Sequence, residues 1–367
     1  MPIVMSARSL ITAALILAFG AVLPLAPARA GADLDEAAPY ILEPWQAPIE
    51  AEVVAFDVAG PDRKPLCLAV AGKSVFLLQP SRRIWKTIDV VMPAGRAVSG
   101  GFIEAPDKER LGAKDAVRFF VSSVHPDGRV QSTFYVSVKG KTRMESQTAG
   151  RFYRRDGPVL FSQKAAGDGP RPVVVEMGVP GALPRSIGKL ALPDGTGLFE
   201  FARLGEVEDE ELVRIESDEA VVLWSKMQPA FRLDLAVGRP PLDLPEGVAK
   251  ATGSWRVPPL VTDVDGMKGD EIVIAVNDPD LEGGGFFKAG EHRSRIAVLA
   301  AAREGGQEIL KVIGGTPTVE GSIPAMALVA GRVVVAVVDA GKRRTALYRL
   351  MPATGRLSKE ARRARFE

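Results

Sequence analysis

The sequence predicts an all-β fold assembled from small repeated antiparallel sheets. Three observations carry this. Short apolar, β-branched runs without breakers recur along the body, among them Val173-Val174-Val175, Ile272-Val273-Ile274 and Val333-Val334-Val335, and such runs are the signature of strands. They fall into six units that follow one another at a spacing of about fifty residues, within the range of propeller blades. No helix of more than two turns is legible inside the body. Sheets packed radially cover the edges that otherwise invite aggregation. The expectation is a single β-propeller of six or seven four-stranded blades after a cleaved signal peptide. The rival is a pair of β-sandwich domains, and the regular repeat argues against it.

Residues 1–30 read as the signal peptide. Arg8 is the positive region, Leu10 to Leu25 is apolar apart from Thr12, and Ala28-Arg29-Ala30 is a small-x-small cleavage site. The apolar core is shorter than the roughly 20 residues a span needs. No cysteine follows it closely, which argues against a lipid anchor. No other stretch reaches spanning length, so no transmembrane span is expected in the mature chain. Residues 31–48 are an acidic, Pro-broken lead-in, with Trp45 as a candidate anchor. The propeller is assigned to 49–357 and a basic C-terminal tail to 358–367.

The units run from Glu50 to Met92, Ala97 to Glu145, Gly150 to Leu192, Gly195 to Val237, Gly253 to Ile313 and Thr316 to Leu357. Each reads as three or four short strands joined by Gly, Pro or Asp turns. The fifth is long enough to hide a further blade. A Pro-rich connection, Arg239 to Gly247, precedes it.

Composition excludes several classes. With 47 Lys and Arg against 45 Asp and Glu, there is no large field suited to nucleic acid. The one cysteine, Cys67, cannot form an internal disulfide, and its apolar neighbours make it a buried small hydrophobe. The two histidines, His125 and His292, have no second histidine at ligand spacing, against a His-based zinc site. No Gly-x-Ser-x-Gly elbow is present to mark a nucleophile. Gly283-Gly284-Gly285 lacks the Lys-Ser/Thr of a phosphate loop. No catalytic residue is assigned. Paired carboxylates are the one catalytic option, among Asp263, Asp265, Asp270, Glu271 and the run Glu206 to Glu211.

The most informative stretch is Pro259 to Val276, PLVTDVDGMKGDEIVIAV. It reads as strand, acidic loop, strand. Asp263 and Asp265 stand two apart, so both carboxylates can turn inward, and Gly266 and Gly269 permit positive φ. This resembles the calcium-type loop of FG-GAP/VCBS repeats, the blade motif of integrin-like propellers. The resemblance implies Ca²⁺ as the cofactor, with Asp263 and Asp265 as side-chain ligands, Gly269 at the backbone-carbonyl position, and Asp270 and Glu271 at the closing acidic position. Met267 stands where a third acidic ligand is expected and Lys268 where the family has glycine; a thioether is a poor ligand for a hard cation. At Asp57, in the first unit, Ala59 and Pro61 replace ligand positions, so no metal is expected. The fold resemblance also implies that residues around Ile49 to Val54 close the ring against the last blade. It places the protein in the periplasm of a Gram-negative bacterium or outside the cell.

The insertion Asn277 to Arg295 carries Phe286-Phe287, an apolar pair expected to contact a partner at the propeller rim. The expected function is a secreted, non-catalytic binding or scaffold module of the bacterial envelope. Its partner would be an envelope or extracellular protein, or a glycan. The alternative is a propeller enzyme, a polysaccharide hydrolase or lyase using channel carboxylates.

Overall fold

The computed structural model describes residues 39–353 except 61–64, 82–83, 104–115, 157–158, 167–168, 177–184, 189–197, 203–210, 218–219, 226–227, 236–256, 267–269, 278–292, 305–306 and 340–341; most side chains of 153–234 likewise lie outside the description. The chain opens with β1 (Tyr40–Ile49). The next four strands form a sheet: β2 (Ala55–Ala59), β3 (Leu66–Ala71), β4 (Ser74–Ser81) and β5 (Ile84–Val91). A second follows with β6 (Arg96–Phe102), β7 (Val117–Val124), β8 (Val130–Val138) and β9 (Lys141–Ala149). The third is β10 (Arg151–Asp156), β11 (Val159–Ala166), β12 (Gly169–Glu176) and β13 (Arg185–Gly188). The fourth is β14 (Leu198–Ala202), β15 (Glu211–Ser217), β16 (Ala220–Ser225) and β17 (Gln228–Asp234). The fifth is β18 (Leu260–Thr262), β19 (Glu271–Asn277), β20 (Arg293–Glu304) and β21 (Gln307–Gly315), with the short β22 (Val319–Glu320) paired to β20. The last comprises β23 (Ser322–Val329), β24 (Arg332–Asp339) and β25 (Arg344–Pro352), and β1 returns to complete it outside β25.

The first strands of the sheets touch in succession: β2 meets β23 and β6, β6 meets β10, and β18 meets both β14 and β23. They therefore line the axis, and the fourth strands lie outermost. Burial follows that order. β3 is buried at every position but its last, whereas every residue of β5 and β9 is exposed or half-buried. This radial stack of antiparallel sheets is a β-propeller.

The core lies between the sheets. Ile215 and Leu233 of the fourth pack on Ile272, Ile274 and Leu299 of the fifth. The other face of the fifth, Val273, Ala275 and Val298, meets Ile323, Val333 and Val335 of the last. Val334 and Ala336 pack on Phe56, Cys67 and Ala69 of the first. Leu68 and Val70 meet Phe119 and Val121 of the second. Phe120 and Phe134 then clasp Phe152 of the third. Second strands sandwiched in this way are apolar on both faces, as read from Ile272-Val273-Ile274 and Val333-Val334-Val335; side chains of Val173-Val174-Val175 lie outside the described residues.

The six units fall one to a sheet, and the long fifth unit holds one sheet among the described residues. The closing strand departs from expectation. It is not Ile49 to Val54 but Tyr40–Ile49, inside the stretch assigned as lead-in, in register from Tyr40↔Pro352 to Ile49↔Thr345. Pro44 and Pro48 argue against a central strand. On an outermost edge they remove donors that no neighbour needs, and they blunt that edge against further pairing. Residues 1–30 and 358–367 lie outside the described residues. No helix among the described residues is long and apolar enough to cross a membrane.

Candidate functional site

The acidic loop is the hairpin turn between β18 and β19. Thr262↔Glu271 is the last paired position, so Asp263 to Asp270 span the turn. Glu271 is fully buried because β19 is covered on both faces. Its carboxylate reaches back across the turn, where Oε2 accepts the Val264 N–H at 2.7 Å. Asp263 Oδ1 accepts the Gly266 N–H at 2.6 Å, the local bond by which aspartate stabilises turns. Gly266 sits at φ 75, a left-handed conformation that costs glycine nothing.

These constraints bring three of the predicted residues together. One carboxylate oxygen from each of Asp263, Asp265 and Glu271 lies within 4.8 Å of the others. Calcium binds oxygen at about 2.3–2.6 Å, so ligands on opposite sides of one ion are up to about 5 Å apart. The spacing therefore fits a single hard cation, and burial rises from exposed Asp263 through half-buried Asp265 to fully buried Glu271. Asp270 is half-buried and is not one of the converging three. Met267, Lys268 and Gly269 lie outside the described residues.

The Asn277 to Arg295 insertion leaves the other end of β19. Six strand steps separate Glu271 from Asn277, about 20 Å. Phe286 and Phe287 lie outside the described residues, but the base of their segment is well defined. Asn277 is buried; its Nδ2 donates to Ile323 O at 3.0 Å and its Oδ1 accepts from Ile323 N at 2.6 Å. Ser294 Oγ lies 2.9 Å from Asn277 Oδ1 and 2.8 Å from Gly321 O. Arg293 and Ser294 pair with Glu320 and Val319. The insertion is thus mounted where the fifth and last sheets are bolted together. Asn277 and Ser294 were not read as site residues; an asparagine ending an apolar run is the one signal the sequence held.

Among the described residues, the other candidates make structural contacts. His125 sits in the turn before β8, with Nε2 3.1 Å from Gln131 Oε1. In that turn, bonds from the Arg129 N–H and then its guanidinium hold the Asp127 carboxyl below the ordinary carboxylate range. His292 and Glu206 to Glu210 lie outside the described residues, and of Glu211 only the backbone is described. Asp57 is a junction residue: Oδ1 accepts from Val58 N and Oδ2 from Phe102 N of the second sheet, each at 2.8 Å. Cys67 is fully buried, and burial, then the charge of Asp57, push its thiol far above the ordinary range. Trp45 of β1 packs tilted on Trp85 of β5, ring centroids 6.3 Å apart. Trp85 Nε1 donates to Ala47 O at 2.6 Å. The side chain of Trp224 and all of Trp255 lie outside the described residues.

No family model matches the chain, and no curated protein matches it. Solved structures do. A chain of the mitotic checkpoint complex is 12% identical with a TM-score of 0.44, covering 89% of this chain and 97% of that one. The soluble aldose sugar dehydrogenase of Escherichia coli, in the apo form, is 10% identical with a TM-score of 0.38, covering 85% and 99%. The β-propeller domain of Myceliophteria thermophila Cps50 (Swd1) is 10% identical with a TM-score of 0.36, covering 79% and 82%.

Proposed function

We propose that the chain is an exported, non-catalytic propeller of six blades that binds a protein or glycan of the bacterial envelope. The observation that carries this is how the one carboxylate cluster among the described residues is used. Asp263 and Glu271 each accept a backbone N–H of their own turn. Such groups shape a loop and hold a cation rather than exchange protons with a substrate, which needs an acid and a base facing an open pocket. In this reading Ca²⁺ is held by Asp263, Asp265 and Glu271, as the FG-GAP/VCBS resemblance implies, with weak extracellular-type affinity. Its work is to stiffen one end of the fifth blade.

Partner contact is assigned to Phe286 and Phe287, in the insertion that follows Asn277, whose side chain is clamped to Ile323 and Ser294. Scaffolds present binding loops from rigid bases of this kind. The test is cross-linking in the native cells, followed by capture of the wild-type chain and of the Phe286→Ser/Phe287→Ser variant. Loss of a reproducible partner with an unchanged melt supports the reading. Undiminished capture removes the loop from it, and turnover of polysaccharide by the purified protein would overturn the non-catalytic assignment.

A further inference from the structure

The rim of the propeller repeats one irregularity. In each of the six described sheets the outermost strand bulges by a residue against the strand it pairs with. The extra residues are Trp45 on β1, Ile88 on β5, Glu145 on β9, Ile187 on β13, Ala230 on β17 and Ile313 on β21. A bulge bends the strand and breaks the row of backbone groups that a further strand would pair with. Four of these bulges are visibly anchored. Trp45, Ile88 and Ile313 pack on the apolar seams between sheets, and Glu145 pairs with Arg118 Nε at 3.2 Å.

β9 carries a second guard. Val138 and Lys141 flank its two-residue turn. Ser137 and Thr142 are then the next, non-hydrogen-bonded pair, and the Thr142 N–H points away from its own sheet. Asp89 Oδ2, on β5 of the neighbouring sheet, accepts that N–H at 2.6 Å. An edge donor is thus filled from within the chain.

We propose that β9 is a latent pairing edge for a second copy of this chain, held shut by the Glu145 bulge and the Asp89 cap. The strand is nine residues long, has no proline and leaves Met144 57% exposed. With Glu145 removed its ladder would run straight. Two such strands laid antiparallel about Met144 set Met144 on Met144, Thr142 on Gln147 and Arg143 on Ser146, with no like charges opposed. Bulge and cap keep the wild-type chain from associating with itself through this edge. The inference is independent of the partner and calcium readings above.

The test uses the whole chain. Deletion of Glu145 together with Asp89→Ala should give a concentration-dependent dimer by light scattering. Met144→Cys, added to the same chain, reports whether β9 is the contact, since the native thiol, Cys67, is buried and does not compete. Paired strands bring the two copies of position 144 within the Cα spacing of about 4.4–6.8 Å that a disulfide needs. Mild oxidation should therefore join the copies at least about tenfold faster than when Asp89 and Glu145 are intact. If the melt shows that the shortened strand does not fold, Asp89→Ala with Glu145→Gly decides in its place, because it keeps the chain length and frees the bulge from Arg118. A folded variant that stays monomeric and joins no faster overturns the proposal. So does equally rapid joining at position 144 with both guards intact.

Discussion

The hydroxyl of Thr345 accepts the backbone N–H of Val53 at 2.9 Å across 292 positions of sequence. It also donates to Ala51 O at 2.7 Å. One side chain of β25 thus satisfies both backbone groups where the chain turns from β1 into the first blade. Thr345→Val keeps the shape and leaves a buried donor and an acceptor unmet, at about 1–3 kcal/mol each. Chemical denaturation should show a loss of about 2–4 kcal/mol, and Thr345→Ser should recover most of it. A valine variant as stable as wild type would show that the bracket carries no load.

Trp45 is the side chain that seats the closing strand. It packs on Trp85, and the Arg349 guanidinium lies 6.0 Å from its ring centroid. Trp45→Ala removes an aromatic contact worth about 0.5–1.5 kcal/mol beyond its buried area. Because the ring is only half-buried, the total loss should be about 2–3 kcal/mol, below the cost of a fully buried tryptophan. Thermal melts check this, and Trp45→Phe should fall between the two.

Calcium should raise the melting temperature of the wild-type chain with the logarithm of one plus its concentration over the dissociation constant. At tenfold excess the gain is about 1.4 kcal/mol. Asp265→Asn should abolish the shift without lowering the metal-free melt by much, since Asp265 is only half-buried. Glu271→Gln should lower the metal-free melt as well, because the buried carboxylate receives Val264 N. A calcium-independent melt in the wild type would leave the acidic loop with its structural role alone.

Cys67 should be inert in the folded protein. Its thiol is held neutral by burial and by the nearby charge of Asp57. Aromatic disulfide reagents should react with it only at the rate of unfolding. The pH dependence has a definite sign. A raised folded-state value means the folded chain keeps a proton that the unfolded thiol releases near its ordinary value of about 8.5. This contribution to stability is therefore present below that value and is lost as pH rises beyond it. A urea midpoint that holds level from pH 8 to about pH 10, in a range flagged by thiol titration, would contradict it.

The repeat was legible because period-2 strands, breakers and spacing are local properties. All six units land on sheets for that reason. The acidic turn was legible for the same reason, and Asp263, Asp265 and Glu271 do converge. What was not legible depends on partners far away in the chain. Asp57 read as the remnant of a ligand loop, yet its partner is the Phe102 N–H, 45 residues on. Phe152 is held through its backbone by Ser99, Ser122 and Ser132, hydroxyls that carry no motif in the sequence. β1 was missed because two prolines are a local argument against a strand, whereas its place at the edge is a global fact.

The pairing of β1 with β25 has a consequence for the order of events during synthesis. The first strand of the fold must wait for the last, across a separation of about 300 residues, whose loop-closure entropy is about 5 kcal/mol. Until β25 emerges, β1 has no ladder to join, and Tyr40, buried in the finished fold, stays uncovered. A growing chain therefore holds a nearly complete stack with an open seam, and a chain cut short by its final strand forfeits its beginning as well as its end. Such a protein reaches its stable state only in one terminal step, which leaves it pliable for as long as either end is still in transit.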